Sequence, residues 1–320
     1  MILRSNAPYI HTDLNTPYIY TNMMAAVLPC ALYSVFCYGI RAAVTMAACA
    51  MLSLVAARIC DRLRGVAAVE YYDISAMVSG IIYALLLPPG TPLIISILGI
   101  LIGELAFKQL FGGLGGNPVN MAAASALFIN LLFEDIENGY IEPYKDRLGL
   151  DGLFTLHVSG DQPAVLDDLY ITEILTGSYA GRFGTGCCLM ILIGIVYLVS
   201  KRIVRIEAPV AYLATVLIGY CVLYKVDVLK SDGQRELLVF MVTSGVLFAA
   251  AFMITDYICV SQGLSGGIIS GCFAGLMTVV LSRFTSNIVY LTVPVIMTNY
   301  LTYTLEFVIS SVRSRRKLRV

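Results

Sequence analysis

Long apolar runs, separated by short polar or glycine-rich segments, make up most of the chain. A helix needs about 20 apolar residues to cross a bilayer, and on this criterion the pattern predicts ten membrane-spanning helices. The predicted spans are Asn22–Tyr38, Ala42–Cys60, Ile74–Leu87, Thr91–Phe111, Asn120–Phe133, Phe183–Ser200, Pro209–Tyr224, Leu237–Thr255, Leu264–Leu281 and Ile288–Val312. The third and fifth are short for a full crossing, which indicates half-helices or tilted helices beside a glycine-rich segment.

One long polar segment divides these spans into two groups of five. The expected fold is an all-α polytopic membrane protein of about ten transmembrane helices, in two five-helix halves with broken glycine-rich segments. The regions are an N-terminal cytoplasmic arm (1–21), a first transmembrane half (22–133), an external acidic loop (134–182), a second transmembrane half (183–312) and a basic cytoplasmic tail (313–320). The suggested duplication rests on this architecture, because no clear residue-by-residue repeat accompanies it.

Composition supports the membrane class. Hydrophobic residues make up 58% of the chain and charged residues 13%, with a mean hydropathy of +0.82. Soluble domains carry about 25% charged residues, so the lipid bilayer is the expected surrounding. The formal net charge is zero, which argues against nucleic acid as a partner.

The distribution of Lys and Arg predicts the orientation. With both termini inside, 13 of the 21 basic residues lie on the cytoplasmic side. These residues are Arg4, Arg58, Arg62, Arg64, Lys108, Lys201, Arg202, Arg205, Arg313, Arg315, Arg316, Lys317 and Arg319. The segment that would lie outside carries ten acidic residues between Glu134 and Glu173. Those charges indicate a solvated face or a surface that docks a basic partner.

Two interrupted segments stand out against the apolar background. Gly112, Gly113, Gly115 and Gly116 precede Asn117-Pro118 between two predicted spans, and Gly263, Gly266 and Gly267 follow Thr255-Asp256 in the second half. Irregular backbone at membrane depth has to be buried in protein or line a cavity. Interrupted spans in corresponding halves therefore predict a binding site.

Three charged residues are candidates for chemistry. Glu104 lies inside the fourth predicted span, where an ionisable side chain costs about 2.5–3.5 kcal/mol on insertion scales. Lys108 follows at i+4 and could pair with it, so a functional site and a structural salt bridge both remain open. Asp256 is either a helix-end carboxylate at the water interface or a contact for an ion or a ligand ring.

A further glycine-rich segment precedes the sixth predicted span and contains Gly181 and Arg182. Its backbone N–H groups and the guanidinium could bind a phosphate, although small residues also serve tight helix packing in membranes. The nine cysteines lie mostly in apolar runs and form no CxxC motif, and there are two histidines. We therefore expect no metal or iron–sulfur cluster held by this chain alone.

Four segments together resemble one protein family. They are SNAPYIHTDLNTPYIYTNMMAAVLPCALYSVFCYGIRA, DISAMVSGIIYALLLPPGTPLIISILG, KQLFGGLGGNPVNMAAA, and FGTGCCLMILIGIVYLVSKRIVRIEAPVAYL with FMITD. In this order they resemble the D subunits of the Rnf ion-translocating electron-transport complex, relatives of the B subunit of the sodium-pumping NADH:quinone reductase. The resemblance covers nearly the full length.

This resemblance implies a flavin-bearing subunit in a bacterial-type inner (cytoplasmic) membrane, with other subunits of a membrane electron-transport complex as partners. Family members attach FMN by a phosphoester to a threonine in the external loop. Gln162 occupies that position here, and its amide offers no hydroxyl. The chain also continues after Thr255-Asp256 with YICVSQGLSGG, where the family has a proline-containing stretch.

The residues expected to contact FMN lie in the glycine-rich segments and beside them. They are Gly112, Gly113, Gly115, Asn117, Pro118, Gly181, Arg182, Thr255 and Asp256. Glu104 and Asp256 are the candidates for the ion path, and no residue is assigned a catalytic role.

Two functions are compatible with these features. In the first, the chain carries electrons between ferredoxin and NAD through a flavin and couples their transfer to movement of Na⁺ or H⁺. In the second, it is a diverged, flavin-free member that serves as a scaffold or ion path, or as a small-solute transporter. Paired broken helices suit transport equally well.

Overall fold

The computed structural model describes residues 15–65, 70–144, 153, 171–256, 263–285 and 287–317. Within these ranges every regular element is helical. The α-helices are α1 (Thr16–Tyr38), α2 (Ile40–Leu63), α3 (Glu70–Leu86), α4 (Leu93–Ile102), α5 (Met121–Leu132), α6 (Ile171–Thr176), α7 (Cys188–Ser200), α8 (Glu207–Tyr224), α9 (Ser231–Thr243), α10 (Val246–Phe248), α11 (Leu264–Ser282) and α12 (Asn287–Lys317). Two π-helical segments, Gly103–Lys108 and Ala249–Met253, continue α4 and α10.

The helices confirm an all-α polytopic membrane protein. In the described part of the chain, five helices are long and apolar enough to cross a bilayer, and the bent pair of α9 with α10 makes a sixth. Four shorter apolar helices complete the set: Ile74–Leu86, Met121–Leu132, Cys188–Ser200 and Ile288–Thr302. Each of the ten predicted spans thus overlaps one of these ten helical units, which are the five long helices, the bent pair and the four shorter helices.

Helix α5 is a half-length element. Its 12 residues rise about 18 Å, whereas the hydrocarbon core is about 30 Å thick. The side chain of Asn120 caps its first turn by accepting from the backbone N–H of Ala123 at 3.0 Å. Because Asn120 is buried, the helix begins inside the protein.

The second half contains a break within one of the predicted spans. The predicted span Leu237–Thr255 bends by 54° between Thr243 and Val246, where Gly245 has a φ of 85°. This left-handed conformation is easily adopted by glycine and ends α9. In the second glycine-rich segment, Gly263 is the N-cap of α11, and Gly266 and Gly267 lie in its first turn, within the predicted span Leu264–Leu281.

Glycine also sets how closely the helices approach. A Cβ atom on Gly271 of α11 would collide with the Ala208 carbonyl oxygen of α8, and one on Gly275 would lie 2.8 Å from Thr215. In the first half, Gly103 leaves room for the Ser125 hydroxyl of α5. Small residues at such spacing allow close backbone packing in membranes.

The bundle has two ends, defined here by α1. The near end contains the start of α1, the start of α3 and residues 103–120, while the far end contains the end of α1 and the segments that follow α3 and α5. At the far end, Gly90 donates to Gly139 (2.7 Å) and Phe183 donates to Leu87 (3.2 Å) through backbone bonds. These bonds hold three loops together.

Candidate functional site

A small polar cavity lies at the near end, where both halves meet. Its volume is about 20 Å³, room for about one water molecule. Six polar residues line it: Ser75, Ser79, Lys108, Asn117, Asn120 and Asp256. Apolar residues of α1, α3, α5 and the second half complete the wall, among them Met23, Met121 and Phe252.

Local irregularity in the backbone brings these side chains together. The π segment Gly103–Lys108 is followed by a short 3₁₀ turn and then by positive φ values of 102°, 88° and 90° at Gly112, Gly113 and Gly115. The chain thereby reverses and enters α5. In the second half, the π segment Ala249–Met253 directly precedes Thr255 and Asp256. Such π segments are frequent at functional sites.

Glu104 is fully buried and both of its carboxylate oxygens accept hydrogen bonds. Ser53 Oγ donates to Oε2 at 2.8 Å, and Gln109 Nε2 donates to Oε1 at 2.7 Å. Lys108 Nζ lies 3.6 Å from Oε1, so the pair considered from the i+4 spacing forms. A buried carboxylate needs such partners because its desolvation is costly.

Lys108 links this pair to the cavity. Its ammonium donates to Ser75 Oγ at 3.2 Å, and both side chains line the cavity. On the other side of Glu104, Gln109 Oε1 accepts from Arg64 Nη2 at 2.6 Å, and Arg64 pairs with Asp61 at 2.5 Å. A continuous polar chain thus runs from the cavity wall to the near-end surface.

Asp256 meets the first half of the chain through Asn120. The Asn120 Nδ2 group donates to Asp256 Oδ2 at 3.0 Å across 136 positions of sequence. Asn120 was not among the predicted site residues, although an asparagine immediately before an apolar run is a typical helix N-cap signal. The Thr255 hydroxyl instead donates to the carbonyl oxygen of Ala251 at 2.5 Å.

The glycines of the first broken segment shape the turn and do not appear in the cavity wall. Gly112 and Gly115 are exposed, and Gly113 is buried beside the guanidinium of Arg64. Pro118 is half-buried. Among the five residues singled out between 112 and 118, Asn117 is the one that lines the cavity.

Gly181 and Arg182 lie at the far end. The Gly181 carbonyl oxygen accepts from the hydroxyl of Tyr38 at 3.3 Å, whereas Tyr20 at the start of the same helix lines the cavity. The two tyrosines are 18 positions apart in α1, a rise of about 27 Å. The residues expected to contact one cofactor therefore fall into two separate places.

The guanidinium of Arg182, at the far end, forms an ion pair with the carboxylate of Glu137. Its Nη2 group lies 3.0 Å from Glu137 Oε1, and the backbone N–H of Ile288 also donates to Glu137 at 3.2 Å. Burial alone would lower the pKa of Arg182, but Tyr140 and Glu137 hold that pKa above its ordinary value. Burial raises the pKa of Tyr140, whose hydroxyl donates to Glu137 at 3.2 Å.

The near-end cavity, as the described residues enclose it, does not fit FMN, because it has room for about one water molecule. Arg182, the expected phosphate ligand, is paired with Glu137. Gln162 lies outside the described residues, as do residues 257–262. Within the described ranges, no group of three or more His, Cys, Asp or Glu side chains is arranged to hold a metal ion.

Comparison with known proteins identifies the family. The sequence model of the NQR2, RnfD, RnfE family matches residues 3–314. The chain belongs to this family. The matched range covers both halves of the chain. The Glu104–Lys108 pair and Asp256 therefore lie within the range that the family model matches. The resemblance inferred from the sequence segments is confirmed.

Three relatives in the family are similar over most of their length. The chain is 29% identical to the D subunit of the Na(+)-translocating ferredoxin:NAD(+) oxidoreductase complex of Acetobacterium woodii, over 88% of this chain and 85% of the relative. It is 23% identical to the D subunit of the ion-translocating oxidoreductase complex of Alcanivorax borkumensis, over 88% of each. The Salmonella paratyphi B protein of the same description is 25% identical, over 89% of this chain and 90% of the relative.

Proposed function

We propose that this chain is a membrane subunit of an ion-translocating ferredoxin:NAD⁺ oxidoreductase complex, in which electron transfer is coupled to movement of Na⁺ or H⁺. Support comes from the family match over residues 3–314 and from relatives named as the D subunits of such complexes. These names do not favour the alternative of a small-solute transporter. The other subunits of the complex are the expected partners, in a bacterial inner membrane with both termini cytoplasmic.

The chain's own contribution is an ion path at the near-end cavity. One observation carries this proposal: the fully buried Glu104–Lys108 pair adjoins a water-sized cavity that also contains Asp256. Ionisable side chains at membrane depth are costly and typically mark ion pathways. The Asp256 carboxylate supplies a negative site of the size that one cation or one protonated water requires.

Lys108 would keep binding at this site weak. Lys108 lines the same cavity as Asp256, so its ammonium repels a cation that enters. Glu104, 3.6 Å from the ammonium, offsets part of this repulsion. Conduction needs binding that is favourable enough for entry and weak enough for exit. The Asp256 carboxylate, which attracts a cation, and the Lys108 ammonium, which repels it, would together provide this intermediate strength of binding.

FMN, which the resemblance implies, would be held outside the cavity, by residues beyond the described ranges or together with a partner subunit. This assignment follows from the small cavity and from the occupied guanidinium of Arg182. Gln162 lacks the hydroxyl that a phosphoester requires. We therefore propose that flavin bound to this chain is non-covalent.

Membership of the complex is tested by purifying the chain from its native membrane with an affinity tag. We expect redox subunits to co-purify and the preparation to reduce NAD⁺ with reduced ferredoxin. A chain that purifies without such subunits, and whose deletion leaves ferredoxin-dependent NAD⁺ reduction in membranes unchanged, would refute the proposed function.

A further inference from the structure

Asn120 contacts three separate elements at the cavity. Its side-chain oxygen accepts from Ala123 at the start of α5 (3.0 Å), and its Nδ2 group donates to Asp256 Oδ2 (3.0 Å). With the Asn299 amide in the orientation that satisfies both of its side-chain atoms, the Asn299 oxygen accepts from the Asn120 backbone N–H at 2.7 Å and the amide nitrogen donates to the carbonyl oxygen of Val295 in α12 at 3.1 Å. Asn120 and Asn299 are both buried, each 4% exposed.

These bonds leave the Asn120 amide one orientation. Because the oxygen is engaged by the helix cap, the amide nitrogen has to point away from α5, and Asp256 lies there. A hydrogen bond donated to a carboxylate favours its charged form and fixes its direction. The placement of Asp256 therefore depends on the start of α5, which is 136 positions away in sequence.

We propose that Asn120 is a positioning residue for Asp256: it holds the carboxylate at the cavity and so sets the affinity of this site for the translocated ion. This inference rests on the proposed function. Asn120 does not need to contact the ion, since it acts through the carboxylate. It also connects the two halves of the chain at the place where the ion would bind.

The chain offers a variant that separates this role from helix capping. Serine caps helices about as well as asparagine, but its side chain is shorter, so Asn120→Ser keeps the α5 cap and loses the bond to Asp256. Asn15 provides a matched control, because its side chain caps α1 by accepting from Tyr18 at 2.9 Å. Asn15→Ser thus makes the same exchange at an exposed cap on another helix.

The experiment measures ferredoxin:NAD⁺ oxidoreductase activity of the purified complex, against Na⁺ concentration at fixed pH and against pH at fixed Na⁺. We expect Asn120→Ser to raise the half-saturating Na⁺ concentration about tenfold, or to move the pH profile by about one unit, as loss of one charge-assisted hydrogen bond implies. The maximal rate at saturating ion should stay close to that of the wild type. Asn15→Ser should leave both dependences unchanged.

Asp256→Asn distinguishes failure of this inference from failure of the proposed ion path. If Asp256→Asn changes the ion dependence and an assembled Asn120→Ser complex does not, the positioning role of Asn120 is wrong. If both variants behave as wild type, the role of Asp256 itself is wrong.

If Asn120→Ser fails to assemble, the proposal is tested with the double variant Asn120→Asp, Asp256→Asn, which exchanges the two side chains and is called the exchanged pair. This pair keeps an amide–carboxylate bond and a capping side chain while moving the charge to α5. We expect it to assemble with an altered ion dependence. Wild-type ion dependence in the exchanged pair would overturn the proposal, because the location of the carboxylate would then not matter.

Discussion

The buried Arg182 and the partly buried Glu137 form an ion pair at the far end of the bundle, with Nη2 and Oε1 3.0 Å apart. The two residues are 45 positions apart and belong to the segments before α7 and after α5. Glu137 also accepts from Asn130 at 3.3 Å and from the backbone of Ile288 at the start of α12. This pair therefore ties three parts of the chain together, at the opposite end from the cavity.

Arg182→Met should destabilise the protein strongly, because it leaves the Glu137 carboxylate without its buried counter-charge. Breaking a fully buried pair costs about 3–5 kcal/mol, and the loss here should be smaller because the Glu137 side chain is 18% exposed. The measurement is the free energy of unfolding of the purified protein in detergent. Lys230→Met is the control, since the Lys230 and Asp227 side chains are 75% and 50% exposed and exposed pairs contribute about 0–1 kcal/mol. Equal losses in the two variants would contradict the structural role of Arg182.

Glu104 and Lys108 should behave as one unit in a double-mutant cycle. Glu104→Gln leaves a buried ammonium and Lys108→Met leaves a buried carboxylate, whereas the double variant removes both charges. We expect the double variant to lose less unfolding free energy than the sum of the single losses, with a coupling of about 1–3 kcal/mol. Additive losses would mean that the 3.6 Å pair does not couple energetically.

Two glycines on α11 provide a test of helix packing. A Cβ atom on Gly271 would collide with the backbone of α8 at Ala208, whereas one on Gly267 would make ordinary contacts of 3.8 Å with Ala208. We expect Gly271→Ala to lower the unfolding midpoint in detergent and Gly267→Ala to leave it unchanged or raise it, since alanine favours helix. A reversed order would show that α8 and α11 pack differently.

The hydrophobic pattern was sufficient to predict all ten helical units, because each one has to present an apolar surface to lipid. It also identified α5 as too short to cross. The pattern did not predict the bend at Gly245, since one glycine within an apolar run gives no sign of its φ value. The roles of Gly266 and Gly267 could not be separated from sequence, because glycine serves both broken segments and close helix packing.

The candidate site was partly predictable. Glu104, Lys108, Asn117 and Asp256 stood out as polar residues in apolar or glycine-rich surroundings, and the cavity and its adjoining ion pair contain all four. The partners of these residues were not evident. Ser53, Ser75 and Asn120 approach them through tertiary packing, which a local pattern does not encode. For the same reason, the pairing of Arg182 with Glu137 was not foreseen.

The absence of a hydroxyl at Gln162 makes a further prediction. On a denaturing gel, this protein should show no flavin fluorescence, because an amide cannot form the phosphoester that the family uses. An acid extract of the native complex should still contain free flavin, and a variant that restores threonine at 162 is the matched comparison. A fluorescent wild-type band, mapped by peptide analysis to another hydroxyl, would contradict non-covalent binding.

Ion uptake by the complex in sealed proteoliposomes tests the ion path at Asp256 most directly. The ratio of ions taken up to NAD⁺ reduced is compared for wild type, Asp256→Asn and the control Asp232→Asn, an exposed carboxylate in the first turn of α9. We expect Asp256→Asn to weaken ion binding at least about tenfold, equivalent to about 1.4 kcal/mol, so that uptake at the wild-type half-saturating concentration falls at least about fivefold, while Asp232→Asn transports normally. Wild-type uptake by an assembled Asp256→Asn complex would show that the ion does not pass through this cavity.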